Sequence, residues 1–584
     1  MKHSWYHSIY ILFYEVIIDM IFFSLRSSHN YNLPQRFEDT KMNKRIARKY
    51  IILFSAFSVF FLPTPRFVES TEIKITLFHL NDTYHIAPVR TTERDEKNKK
   101  ILVKQGGMAR VRTLVAAYQN DNPKIPVLIL HAGDMLSPSF LSGKERLKGK
   151  QMIDVLNRVP LDIAVLGNHD FDFGCKGLEK RIKESEFIWL ASNIKFPEAS
   201  PVFKKIKNIH IFEFQGIKIG FFGLTVPFRT AMPCHQYDKD KILFLNPLSA
   251  VKQVMRSLKE QKVEIIVGLT HLNMTTDEQI AMENPDIDVI IGGHEHVPLS
   301  ALVGNTLIRK AGTNAINLGK VELTYFTSQQ KSEPVIKKNH EFIPVSENIR
   351  PDPDLKKIVD KYQERIKKYD KIIGQTETPL EARSVCMRSH ETNTGNLIAD
   401  LMRKISKSDL ALINGGTFRA DKIFNTGLIN AKDVYNLIPY NDKIVSVEID
   451  GKTILEALEN GVANWGRLKG GFPQVSGIKF EFDPERPNYN KIIKSSVEIN
   501  GKPIKLNKKY KLSANEFLVK RGEIDGYTMI QGKEVLGEHG LLTDVFIEYI
   551  RNNKTISPTL DQRIVIFGTD TLNHYKCGAP DQVF

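Results

Sequence analysis

The sequence predicts an α/β fold class. Three observations carry that prediction: apolar runs of strand length that each stop at a polar residue, helical patterns between those runs, and loops behind them crowded with Asp, Asn and His. IKITLFHLND runs from Ile73 into Asp82, and IPVLILHAGD runs from Ile125 into Asp134. LDIAVLGNHDFDFG, Leu161 to Gly174, delivers Asn168, His169, Asp170 and Asp172. EIIVGLTH delivers His271, and DVIIGGHEH delivers His294 and His296. In an α/β sheet, ligands bind at the carboxyl ends of the strands, so these five endings can converge on one spot. A loop that only had to turn has no use for so many ligand-type groups, because each costs desolvation free energy unless something binds it.

Taken in order, the chain of 584 residues is too long for one ordinary domain, so two domains plus extensions are expected. Residues 1–70 read as targeting. Tyr10 to Leu25 is apolar but interrupted by Glu15 and Asp19, which argues against a spanning helix. Met42 opens a better pattern: Lys44, Arg45, Arg48 and Lys49, an apolar Tyr50 to Leu62, then PTPRFVES, where Val68 and Ser70 suit a cleavage site. The expectation is a start at Met42, cleavage after Ser70 and export to the periplasm, cell surface or medium, with no stable transmembrane span left; an uncleaved anchor is the alternative. The first domain is expected over 71–345. Within it GGMARVRTLVAAY places Met108, Val111, Leu114, Val115 and Tyr118 at helical spacing, with Arg110 as a surface charge. Segments through Ile308, Leu318, Leu323 and Tyr325 read as closing strands. Residues 346–372 read as a linker whose prolines precede a charged helix, Leu355 to Tyr369. The second domain is expected over 373–568, followed by a tail, 569–584. It opens on a helix, SHETNTGNLIADLMRKI, and continues with SDLALINGGTFRAD, a buried strand ending in a Gly-Gly loop that lets backbone approach a ligand.

Composition is that of a globular protein, with 42% hydrophobic and 26% charged residues. The net charge of +15 favours anionic partners, but lysine clusters such as Lys97, Lys99 and Lys100 read as solvated faces. No zinc finger, RNP pattern or basic helix points to polymeric nucleic acid. The four cysteines are too scattered for a disulfide scaffold or a zinc cluster. Export permits disulfides, the pairing stays open, and Cys175 reads as a structural thiol.

The strand-end donors mix oxygen and nitrogen, which suits Zn²⁺, Mn²⁺ or Fe rather than Ca²⁺ or a thiolate-bound metal. They exceed what one ion needs, so two divalent metal ions sharing a carboxylate are expected, and such a clamp hydrolyses phosphoesters. ND, GGMAR, AGD, GNHDFD, LTH and GGHEH, in that order, resemble the metallophosphoesterase domain of the 5′-nucleotidase family. VYNLIPYNDKIVSVEIDG, GGFPQVSGIKF and KLSANEFLVKRGEIDGY resemble the C-terminal domain of the same family, so the likeness spans roughly residues 73 to 568.

The resemblance implies an αββα-sandwich metallophosphoesterase domain followed by a smaller α/β substrate-binding domain. By the same resemblance, Asp82, Asp134 and His296 bind one metal, while Asn168, His271 and His294 bind the other together with a bridging Asp134. His169 and Asp172 match a catalytic dyad, in which His169 stabilises negative charge developing on phosphorus or the leaving oxygen. Arg388 and Arg419 match phosphate-binding arginines, Asn414 a binding-loop asparagine, Tyr440 and Phe517 the aromatic pair that sandwiches a base, and Asp525 a carboxylate on the ribose hydroxyls. Core packing is the commoner fate of such aromatics. Tyr440, however, lies between Pro439 and the polar Asn441 and Asp442, a turn composition.

Three positions depart from the family pattern. Tyr84 stands where many members place a metal-binding histidine, with His85 one step further, and a one-residue shift redirects a side chain. His390 replaces a common arginine, and FLVKRGEIDGY is longer than the usual form between aromatic and Asp525. The implied function is hydrolysis of nucleotide phosphoesters, a small-molecule substrate, to nucleoside and phosphate, with a hinge near 350–372 closing on it. A 2′,3′-cyclic nucleotide or nucleotide-sugar hydrolase is the alternative on the same machinery. A surface binding protein that lost turnover through the Tyr84 change is the alternative of another class.

Overall fold

Strand alternation decides how the first half packs. In the strand Ile265–His271, Ile265, Val267 and Leu269 face one apolar cluster and Ile266 faces another. Glu72–Leu80 divides likewise, with Ile73, Ile75 and Leu77 on one side and Phe78 and Leu80 on the other. Strands apolar on both faces require cover on both. The computed structural model, which describes residues 72–94, 100–228, 231–234, 241–326 and 335–568, supplies it with two stacked sheets and outer helices. The expected leader with Met42, and the tail with Cys577, lie outside the described residues.

The first sheet runs, edge to edge, Val335–Pro344, Asn317–Phe326, Glu72–Leu80, Val127–His131, Ile163–Val165 and Ile188–Leu190. The last four are mutually parallel, and the 317–344 hairpin pairs antiparallel against Glu72–Leu80. The second sheet runs Pro298–Val303, Thr306–Ala311, Val289–Gly292, Ile265–His271, Ile217–Thr225 and Ile209–Phe214, parallel in its four central strands. Leu77, Leu130 and Val165 of one sheet share a core with Phe221, Val267 and Ile291 of the other. Each such buried side chain contributes roughly 1.5–3 kcal/mol of transfer free energy. Helices Met108–Asp121, Lys150–Leu156 and Gly174–Glu184 cover the outer face of the first sheet, and Pro247–Glu260 and Met274–Glu283 cover that of the second. This is the αββα sandwich, with all the parallel strands ending toward one rim.

Two local expectations are corrected. Arg110 is buried, not a surface charge: its Nη1 donates to the carbonyls of Lys104 and Gly106 at 3.0 and 3.2 Å. Cys175 is no thiol but is disulfide-bonded to Cys234, fastening helix Gly174–Glu184 to the Ala231–Pro233 segment. Among the described residues no cysteine is free.

The charged helix spans Pro353–Lys367, started by Asp352, whose carboxylate accepts from Leu355 N at 2.8 Å. It does not stand free: Leu355, Val359 and Ile366 are buried in the cluster that contains the first half's helices. Just beyond it the Tyr369 ring meets Phe140 of the first half at 4.8 Å and Tyr435 of the second at 5.5 Å. The second half is built on a sheet ordered Pro473–Ser476, Leu410–Asn414, Lys509–Asn515, Lys443–Asp450 and Val535–Leu541. Helix Asn393–Ser406 packs on one face through Ile398 and Met402, and Gly451–Ala463 on the other through Ile454 and Leu458. Among the described residues no helix is long and apolar enough to cross a membrane.

Candidate active site

The site begins with backbone strain. Asp82, Asp134 and His294 take left-handed conformations, with φ of 48°, 58° and 81°. A non-glycine residue there costs on the order of 1–3 kcal/mol and persists only where the surroundings over-determine it. Those surroundings are visible. Asp82 N donates to Gly133 O at 3.0 Å. The Asp170 carboxylate accepts four backbone N–H groups, from Gly167 and Asp134 on Oδ2 and from Met135 and Leu136 on Oδ1, all within 3.0 Å. Asp170 thus stitches the Asp134 loop to the Asn168–His169 loop. Glycine is required where the loops touch: a Cβ on Gly167 would lie 2.1 Å from Asp134 Oδ1, and one on Gly293 would lie 2.2 Å from Ala132 O.

So held, Asp82, Asp134 and His271 bring ligand atoms within 4.8 Å of one another, all buried, a group that could hold a metal ion. Two carboxylates out of water need positive charge beside them. Burial lowers the His271 imidazole, but Asp134 and Asp82 outweigh it and hold the ring up at about 10. His271 Nδ1 donates to Ala132 O at 2.7 Å, and a carbonyl only accepts. Nε2, 3.3 Å from Asp134 Oδ2 and without a hydrogen-bond partner, is therefore the atom that takes either a proton or a cation. Asn168 Oδ1 is likewise buried without a partner. His294 donates its backbone N–H to Asp82 Oδ2 at 2.9 Å, and its ring lies 5.2 Å from that of His271. Burial and the neighbouring His271 push the His294 ring down to about 3, leaving a neutral imidazole suited to a metal. His296 Nε2 lies 3.3 Å from Asp82 Oδ1. Orphaned buried donors, neutral imidazole and paired carboxylates fit divalent ions.

His169 anchors its backbone on Asp134 Oδ1 at 2.8 Å, and its Nδ1 donates to Asp172 Oδ2 at 3.0 Å. Its ring is partly exposed and lies 6.4 Å from that of Tyr440, so the second half reaches over the dyad. Asn441 Nδ2 donates to Gly143 O at 3.3 Å beside that turn. Arg419 Nη2 donates to the Tyr84 hydroxyl at 3.2 Å, which brings it directly onto the carboxylate cluster. Arg388 donates from Nη1 to Leu468 O at 3.3 Å and keeps a buried Nε without a partner. Asn414 Nδ2 donates to Asp525 Oδ2 at 2.6 Å, so the longer segment before Asp525 still presents its carboxyl to this loop. Burial pushes the Asp525 carboxyl up, against the hydrogen bond from Asn414 and the Arg388 and Arg419 guanidiniums. Phe517 is half-buried against the second half's core, with Arg521 over its ring at 5.4 Å.

His85 is not drawn into the cluster: apart from burial, the charges acting on it are those of Lys432 and Lys422. Sequence reasoning named Asp170 among the ligand-type groups of its loop without giving it this supporting role, and it missed Lys310 altogether. Lys310 is fully buried, paired with Asp277 at 2.8 Å and donating to Leu272 O and Gly293 O, so it ties the His271 and His294 loops together. A lysine inside the apolar run TLIRKA was the available signal.

Comparisons with known proteins agree with this geometry. A family model for calcineurin-like phosphoesterases matches residues 75–298, and one for the 5′-nucleotidase C-terminal domain matches residues 372–532. The chain is 26% identical to a 5′-nucleotidase of Diplobatis ommata, covering 85% of this chain and 90% of that protein. It is 26% identical to a human 5′-nucleotidase, over 84% and 90% respectively. The crystal structure of a 5′-nucleotidase precursor from Thermus thermophilus superposes with a TM-score of 0.75 at 25% identity, covering 85% of this chain and all of that one.

Proposed function

Because this chain belongs to the 5′-nucleotidase family and is a phosphoesterase, we propose that it is an exported, two-metal hydrolase that releases nucleoside and phosphate from nucleoside monophosphates. The observation that carries the reading is the meeting of two buried carboxylates, His271 and a His–Asp pair at one rim, beside Arg419 and Tyr440 of the second half. Asp82 and His296 would hold one ion, Asn168, His271 and His294 the other, with Asp134 shared. When bound, such ions neutralise the ester oxygens and lower the pKa of water from 15.7 towards roughly 7.

The chain's own residues account for the rest. Asp172 orients the His169 ring by accepting from Nδ1, and the imidazolium form, protonated on both nitrogens, donates from Nε2 to the departing 5′ oxygen. Arg419 and Arg388 supply guanidinium donors to the phosphoryl oxygens, and the unpartnered Arg388 Nε supports that role. Tyr440 and Phe517 take the base between their rings, and Asp525 accepts from the ribose hydroxyls.

The test is phosphate release from a nucleoside monophosphate by the purified chain, with its metal content measured. Chelation is expected to abolish turnover, and Mn²⁺, Zn²⁺ or Co²⁺ to restore it. Activity untouched by exhaustive chelation would sink the two-metal reading. A metal-loaded chain that binds nucleotide without turnover would favour the binding-protein alternative. Export is tested separately by N-terminal sequencing of the secreted protein.

A further inference from the structure

We infer that the Tyr84 phenol oxygen is itself a donor to the ion held by Asp82 and His296, which makes that site an oxygen-rich one built on a tyrosine. The inference rests on the metal reading proposed above and concerns a residue to which that reading gives no role.

One oxygen sits at the meeting point of the candidate ligands. The Tyr84 hydroxyl lies 3.0 Å from Asp82 Oδ1, 3.0 Å from His296 Nε2 and 3.4 Å from Asp134 Oδ2. A hydroxyl has a single proton to donate, and ionised carboxylates offer only acceptors, so hydrogen bonding from Tyr84 serves one of the two carboxylate oxygens that face it and not both. A cation shared among the same atoms satisfies all of them. Tyr84 is 7% exposed, so water does not settle that account either. Arg419, which can only donate, places Nη2 3.2 Å from the phenol oxygen and compensates negative charge gathered on it.

The ring is fixed in place. Its edge meets the His296 imidazole at 5.5 Å, the Arg419 guanidinium lies over it at 5.4 Å, and Tyr84 N donates to Asn314 Oδ1 at 3.2 Å. Such fixing is what a metal ligand needs and what an idle surface tyrosine lacks. Two further buried atoms, Asn168 Oδ1 and His271 Nε2, stand without hydrogen-bond partners and mark the cluster independently as a place for ions. With a phenol oxygen in place of an imidazole, the Asp82 side becomes the harder of the two positions, suited to Mn²⁺ or Fe more than to Zn²⁺.

The experiment compares Mn²⁺ binding by the metal-free full chain with that of Tyr84→Phe and Tyr84→His, by equilibrium dialysis with elemental analysis. The wild-type chain is expected to bind two ions. Tyr84→Phe removes one atom, and is expected to weaken one ion by more than the roughly 10- to 100-fold that loss of an outer hydrogen-bonding partner costs. Tyr84→His is expected to regain it. A loss in Tyr84→Phe within or below that range would make Tyr84 an outer partner and overturn the inference. If Tyr84→Phe fails to fold, Tyr84→His carries the test, and a folded Tyr84→His that has lost one ion overturns it. A wild-type chain that binds no Mn²⁺ sinks the metal reading itself, which is a distinguishable failure.

Discussion

The two halves of the molecule hold their polar groups in opposite ways. At the rim of the sandwich, strained backbone and close-packed glycines leave Asn168 Oδ1 and His271 Nε2 buried and unpartnered. In the second half, the side chains around Asp525 and Asp442 bond largely to one another, although Arg388 Nε and Asn515 Oδ1 stay without a partner. Asn414 donates to Asp525 while its Oδ1 accepts from Thr417 and Asn515, and Asp442 accepts from Asn515 Nδ2 and from Phe517 N. Buried groups left unpaired are costly, so they persist where something else completes them. The rim around Asp82 and Asp134 thus leaves ligand-type atoms for something else to complete, whereas the loops around Asp525 and Asp442 are tied mainly by their own hydrogen bonds. Changes at the rim should destroy turnover outright, whereas changes in the second half should grade it.

The comparison breaks most sharply at Asp134. Asp134→Ala removes the carboxylate that orders His169 N and lies 3.3 Å from His271 Nε2, so loss of bound metal and of measurable phosphate release is expected. Retention of both by a folded variant would contradict the rim as described. His169→Ala comes next. Turnover is expected to fall by roughly 10²- to 10⁴-fold with metal content unchanged, as elemental analysis alongside kinetics would show. Smaller again, Tyr440→Ala or Phe517→Ala should cost about 1 to 3 kcal/mol of stacking, roughly 5- to 150-fold in kcat/KM for a nucleotide. A small aryl phosphate should be nearly unaffected, and equal losses on both substrates at an unchanged Tm would deny the second half its role.

The smallest effect lies in the self-satisfied network. Burial pushes the Asp442 carboxyl up to about 6 from 3.8, against the hydrogen bonds from Asn515 and Phe517. A folded-state value above the unfolded one means that the native state binds more protons between the two. The contribution of Asp442 to stability is thus fully present below pH 3.8 and is lost as pH rises through about 6. Denaturant unfolding should show wild type losing stability relative to Asp442→Asn from pH 4 to pH 7. A constant difference would mean that Asp442 does not titrate in that window.

The fold and the rim of the site were legible because both are local. Runs such as VLILH and IIVGLTH have the length and β-branched content of buried strands, and a polar residue directly behind them has to fall at a strand end. Adjacent parallel strands then bring those ends to one rim, and Asp82, Asp134 and His271 meet there. What the sequence alone left open depends on which loops abut. Cys175 joins Cys234 across 59 residues, Lys310 serves the two histidine loops from the interior, and Arg110 turns inward to carbonyls. Tyr84, read as a departure from a pattern, lies with its oxygen among Asp82, Asp134, His296 and Arg419. Periodicity and turn chemistry fix where a residue sits along its strand or loop, because backbone sterics act over a few residues. The partner of a side chain is set by how segments pack, whether they lie a few residues apart in the chain or more than three hundred, and only the tertiary structure decides it.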